Sequence, residues 1–282
     1  MYRKLCKYEF KSIGRTLLPI YLAVLAVAII NAFSMGLSNN FNSSFALSGG
    51  PLLNILGLLQ VVIVFAYFGL LCALFVLTVV IIIQRFYKGL LCDEGYLMFT
   101  LPVRTWHLVA SKATVALVMG LLSSVTAFLS MLILAAGAAS SPARFLFALV
   151  DPRNWIQFFR NAGEVFSLWP VYMIELIALC LVAALAALFH IYVSLAIGHL
   201  AKKHRIMAAV AAYIAISLIM NFLSGVALMI VGNGLDYWIA HTLTGHAAAQ
   251  LVIGGLFIWS LLQLAVYFCG TERILSKKLN LE

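Results

Sequence analysis

Six long apolar runs, at roughly 17–36, 58–84, 108–139, 169–199, 207–231 and 248–270, alternate with short polar stretches along this chain. A helix needs about 20 mostly apolar residues to cross a bilayer core, so each run predicts a transmembrane helix. The runs fill more than half of the chain and leave no stretch long enough for a separate catalytic domain. The expected fold class is all-α integral membrane, a single transmembrane domain over residues 1–282. No residue is expected to be catalytic, and any energy source lies in another protein.

The stretch before the first run is itself patterned. At about 100° per residue, Arg3, Lys4, Lys7, Lys11 and Arg15 fall within an arc of about 120°. Tyr2, Leu5, Cys6, Phe10 and Ile13 lie roughly opposite. This predicts an amphipathic helix over 1–16 in the membrane interface, basic face toward headgroups, with Pro19 offering a bend into the first span. A basic start before an apolar run also resembles a signal peptide. The run is long, however, and Asn31 and Met35 stand where small residues would precede cleavage, so a retained first span is expected.

Two outer segments follow from the alternation. The first, LSNNFNSSFALSGGPLLN, carries no charge. Its Leu47-Ser48-Gly49-Gly50 matches the start of the signature of ATP-binding-cassette ATPases, but the chain has no GxxxxGK[ST] phosphate loop and Pro51 replaces the final residue, so the match is rejected. The second, 140–168, contains RFLFALV and DPRNWIQFF; aromatics with a few charges at a span boundary predict one or two short helices at the outer interface.

Composition agrees with the pattern. Apolar residues make up 65% of the chain, charged residues 10%, and mean hydropathy is +1.09; a soluble domain carries about a quarter charged residues. The net charge of +9 reflects topology. Fifteen of the eighteen Lys and Arg residues flank the runs on one side, leaving Arg144, Arg153 and Arg160 on the other, so both termini are expected to be cytoplasmic in a multi-pass cell-membrane protein. The basic residues border spans and anionic lipid, and nucleic acid is not expected as a partner.

The five cysteines form no CxxC, and neither a disulfide nor a metal site is supported. The six histidines lack helical zinc spacing and are read as scattered interface residues. No HExxH, GxSxG or intramembrane Asp pair points to a hydrolase. Small residues such as Ala135-Ala136-Gly137-Ala138-Ala139, and Ala183-Ala184 with Ala186-Ala187, predict close helix packing on spans three and four. Glu175 is the one acid well inside a run, about 9 Å from its outer end. An ionisable group in lipid costs about 2.5–3.5 kcal/mol at mid-span, so Glu175 is expected to face the bundle. There it lines a substrate path with Asn221 and Gln263, or makes a plain interhelical hydrogen bond.

The most specific stretch is FYKGLLCDEGYLMFTLPVRTWHLVASK between runs two and three. Within it Gly89 and Gly95 bracket LLCDE, Pro102 stops the segment that follows, and Asp93 and Glu94 sit where the N-terminal dipole of a short helix favours acids. Tyr96, Leu97, Met98, Phe99 and Leu101 then place apolar groups on the cytoplasmic side, suited to a partner's groove. Together with KYEFKSIGRTLLPIY and Ser111-Lys112, this resembles the membrane subunit of bacterial type-2 ABC exporters. The likeness covers about 50 residues, with Cys92 where such sequences more often have a small or polar residue.

The resemblance implies that residues 92–102 are a coupling helix seated in a separate cytoplasmic ABC ATPase subunit. In that reading Asp93 and Glu94 meet polar or basic groups, Tyr96, Leu97, Met98 and Phe99 provide the apolar anchor, and Gly95 and Pro102 belong to the same coupling site. It implies no cofactor in this chain, with ATP and Mg on the ATPase, and a second permease copy or sister permease. A membrane scaffold or assembly factor, without transport, is the alternative from the residues alone.

Overall fold

A backbone in lipid must satisfy its own hydrogen bonds, which for a single apolar segment means a helix. The computed structural model of the chain describes residues 2–45, 51–92, 95, 100, 105–139, 141–165, 168–201, 203–241 and 245–277. Among them every regular element is a helix: α1 (Tyr2–Phe45), α2 (Pro51–Phe86) with a π-helical continuation over Tyr87–Leu91, α3 (Thr105–Ala138), α4 (Pro142–Val150), α5 (Pro152–Val165), α6 (Trp169–His199), α7 (Arg205–His241) and α8 (Gly245–Lys277). Six helices are long and apolar enough to cross a membrane: Tyr2–Leu37, Gly57–Leu91, Thr105–Ala138, Trp169–His199, Arg205–Met229 and His246–Ser276. Each coincides with one predicted run. The protein is a multi-pass membrane protein.

The residues expected to form a helix over 1–16 belong to the longer α1. Residues 2–15 are helical, but α1 runs unbroken through Pro19. Proline removes one hydrogen bond, which breaks many soluble helices; in membrane helices neighbouring groups and local adjustment satisfy the freed carbonyl. Arg3, Lys4, Lys7, Lys11 and Arg15 are all exposed, while Ile13 and Leu17 are buried. Part of the opposite face is used on α3, where the hydroxyls of Tyr2 and Thr114 lie 3.0 Å apart and the Tyr2 ring tilts over His107.

The chain forms two compact units, each discontinuous in sequence. One comprises residues 7–82 and 118–167. Val24, Ala28, Tyr67, Leu71, Leu74 and Ala127 make its buried core. Interhelical hydrogen bonds tie it together, a device suited to lipid, where apolar burial gives no drive between helices. Ser123 Oγ pairs with the Tyr21 hydroxyl at 2.8 Å and with Thr78 Oγ1 at 2.9 Å. Tyr67 meets Ser130 at 2.7 Å, and Asn31 Nδ2 donates to the Ile63 carbonyl at 3.3 Å. Gly137 permits the closest approach, since a Cβ there would stand 2.4 Å from Ala32 Cα.

The same unit contains the two short helices expected in 140–168. Pro142 and Pro152 open α4 and α5, where a missing N–H costs nothing. The corner between them is fastened by Asp151 Oδ1 accepting from the Arg153 N–H at 2.9 Å and by Trp155 Nε1 donating to the Leu149 carbonyl at 2.6 Å. Trp155, Phe158 and Phe159 cluster on one exposed side of α5.

The other unit comprises residues 1–6, 83–117 and 168–282. Within it α6 is the central helix and packs against both α7 and α8. Gly198 sets the α6–α7 spacing, because a Cβ there would lie 2.4 Å from Ala209 Cα. The alanine pairs 183–184 and 186–187 predicted to mark a packing face lie on this helix.

Candidate functional site

The 85–112 segment is described at its two ends. Asp93, Glu94, Tyr96, Leu97, Met98, Phe99 and Pro102 lie outside the described residues, as does the Leu47–Gly50 stretch. The N-terminal root is tightly held. After α2 the chain winds into the π-helical turn, a rare geometry frequent at functional sites, and Gly89, Leu90 and Leu91 are buried.

Packing explains why the root is rigid. The Phe86 and Tyr192 rings stack with centroids 3.9 Å apart. Phe189, one turn earlier on α6, meets Tyr192 and Phe268 edge-on at 5.8 and 5.3 Å. Tyr87 approaches His199 edge-on at 6.3 Å. Gly95 is buried, and its N–H donates to the Cys92 carbonyl at 2.7 Å. A Cβ on Gly95 would lie 2.6 Å from the Leu90 carbonyl oxygen, so only glycine allows this fold-back. At the far end Ser111 and Lys112 are both buried, and Ser111 Oγ donates to the Leu108 carbonyl at 2.8 Å.

A second site lies among α6, α7 and α8. Asn221 and Gln263, which the sequence placed on one path, line the same cavity of about 250 Å³. His190, Ser217, Ser224 and Tyr267 add polar groups, while Ala183, Ala186, Ala187 and Met220 supply an apolar side. Among the described residues the lining holds no carboxylate, lysine or arginine. Glu175 is not among the described lining residues; on α6 it precedes Ala183, the first of them, by eight residues, about 12 Å along the axis. Its Oε2 is buried without a hydrogen-bond partner among the described residues.

His190 is the residue that sequence reasoning missed. Its ring lies between Tyr213, at 4.4 Å and 15°, and Tyr267, at 4.9 Å and 12°. Nε2 is buried and has no hydrogen-bond partner among the described residues. The reading of scattered interface histidines is therefore corrected for His190, which sits well inside α6. Ser224 is committed: its hydroxyl donates to the Met220 carbonyl at 2.7 Å and accepts from Trp259 Nε1 at 3.0 Å. Among the described residues no group of His, Cys, Asp and Glu is arranged to hold a metal.

The two sites belong to one packed series. His190 is two residues from Tyr192, and Phe268 is next to Tyr267. The rings at the root of the 92–102 segment thus abut the helical turns that line the cavity. No protein-family model, curated protein or solved structure matches this chain.

Proposed function

We propose that this chain is the permease subunit of an ATP-binding-cassette exporter in the cell membrane, with cytoplasmic termini and residues 92–102 acting as the coupling helix. The observation that carries this reading is the sequence FYKGLLCDEGYLMFTLPV at the end of α2. Its buried, π-wound root supports the reading, because a load-transmitting contact needs a stiff foundation.

In this reading Glu94 and Asp93 meet polar or basic groups of a separate ATPase, and Tyr96, Leu97, Met98 and Phe99 provide the apolar anchor. ATP and Mg are bound by that partner. Closure of two ATPases biases two permease subunits, copies or sisters, between inward and outward openings. Displacement of the 92–102 segment reaches α6 through Phe86 on Tyr192 and reaches α8 through Phe189 on Phe268. Asn221, Gln263 and Glu175 belong to the substrate path.

The test is affinity purification of the tagged chain from its native membrane in mild detergent, with identification of co-purifying proteins and an ATP hydrolysis assay. A stoichiometric ATPase, lost from Phe99→Asp and Glu94→Arg while both variants still accumulate in the membrane, is the expected result. An abundant, intact chain that brings down no ATPase would assign the protein to the scaffold class instead.

A further inference from the structure

The polar cavity sits where the surrounding solvent is hydrocarbon. Ser217 lies midway along the apolar stretch of α7, and Gln263 lies close to the middle of that of α8. A hydrogen-bonding group left unpaired at that depth costs several kcal/mol. Yet α6, α7 and α8 bring four polar side chains to one open-sided cavity: His190, Asn221, Gln263 and Tyr267. The buried Nε2 of His190, which meets no hydrogen-bond partner within 3.5 Å among the described residues, is the clearest of these. Such an arrangement is accounted for by an occupant that completes the hydrogen bonds.

The chemistry of the lining restricts the occupant. With no carboxylate, lysine or arginine among the described residues of the wall, an ionised ligand would bring an unneutralised charge to mid-span. Both faces of the His190 ring are covered by Tyr213 and Tyr267, so a sugar or base cannot stack there and only the ring edge is offered. Asn221 and Gln263 each carry a donor and an acceptor side by side, the pairing that matches an amide. Ala183, Ala186, Ala187 and Met220, also in the lining, suit small apolar substituents and offer a polyol no side-chain hydrogen bonds. The volume of about 250 Å³ falls below the ~300–1,000 Å³ of pockets for drug-sized molecules.

We propose that this cavity binds an uncharged, amide-bearing ligand of about two amino-acid residues, held by Gln263, Asn221 and the Nε2 edge of His190. As a statement about transported substrate it rests on the permease reading; as a statement about binding it stands without it.

The experiment is saturation-transfer NMR on the purified full chain in phosphatidylcholine nanodiscs. The probe is N-acetyl-dialanine N-methylamide; erythritol and free zwitterionic dialanine are the comparators. The expected result is saturable binding of the capped probe over both comparators, weakened about ten-fold by Gln263→Leu and by Asn221→Leu and unchanged by Ser260→Ala. Gln263→Met, close in volume to the native side chain, guards against a folding defect and is expected to weaken binding equally with an unchanged unfolding midpoint. Equal binding by wild type and the two leucine variants, preference for erythritol or zwitterion, or no saturable signal would each overturn the proposal. ATPase co-purification on the same variants separates the two readings: bound probe with no ATPase sinks the exporter and leaves the cavity, and the reverse does the opposite.

Discussion

Phe86 and Tyr192 lie ring to ring, 3.9 Å between centroids and 8° between planes, each about 1% exposed. Aromatic pairs are commonly about 4.5–7 Å apart, so this contact is close and its geometry sharply defined. In lipid, exchange of a buried ring for acyl chains gains little transfer energy, and the cost of truncation is lost packing. Phe86→Ala is therefore expected to destabilise by about 1–3 kcal/mol, below the ~3–5 kcal/mol of a soluble core. A double-mutant cycle with Tyr192→Leu, read from denaturant unfolding in micelles, should show coupling of about 0.5–1.5 kcal/mol. Additive effects would mean that the rings merely coincide.

Two glycines on neighbouring helices make opposite predictions. A methyl at Gly198 would collide with the Ala209 backbone, whereas at Gly225 nothing lies within 4 Å. Gly198→Ala should cost about 1–3 kcal/mol through overpacking of α6 on α7. Gly225→Ala should be neutral or stabilise by up to about 1 kcal/mol, since alanine is the better helix former. Thermal unfolding midpoints of the two variants, measured side by side, check the pair.

At the root of the coupling segment, Gly95→Ala places its new carbon against backbone, not a movable side chain. The 92–95 fold-back must open while the spans remain intact. Under the exporter reading this variant should keep its membrane level and helix content yet recruit about ten-fold less ATPase. Undiminished recruitment would show that the fold-back does not position the contact.

The Tyr67 hydroxyl is buried with one interhelical partner, Ser130, at 2.7 Å. Side-chain hydrogen bonds between membrane helices average about 0.6 kcal/mol and reach about 1.7. Tyr67→Phe should fall within that range, well short of Phe86→Ala. Unfolding titrations of the two variants under one set of conditions test the ranking.

The spans were legible because length and hydropathy are local properties, and α6 matches its run at 169–199 to the residue. Asn221 and Gln263 were found together because a polar residue inside an apolar run is conspicuous by itself. His190 was missed for the converse reason. Its meaning comes from Tyr213 and Tyr267, residues 23 and 77 positions away on two other helices, which no local spacing records. Pro19 misled because a rule for isolated helices was applied where lipid and neighbours favour continuation. The π-helical turn at Tyr87–Leu91 has no sequence signature; it occurs where the backbone of Gly95 comes back against Leu90.

The unbroken course of α1 through Pro19 has a mechanical side. Its 44 residues make a rod of about 66 Å, against about 40–45 Å for a bilayer with its headgroups. Some 20 Å of helix is thus surplus to a perpendicular crossing and must tilt or project beyond the lipid. Pivoting such a rod by 10° about its centre swings its tip by about 6 Å. A fluorophore near Tyr2 would accordingly act as the pointer of a gauge, magnifying small rotations inside the membrane into distances that energy transfer can measure.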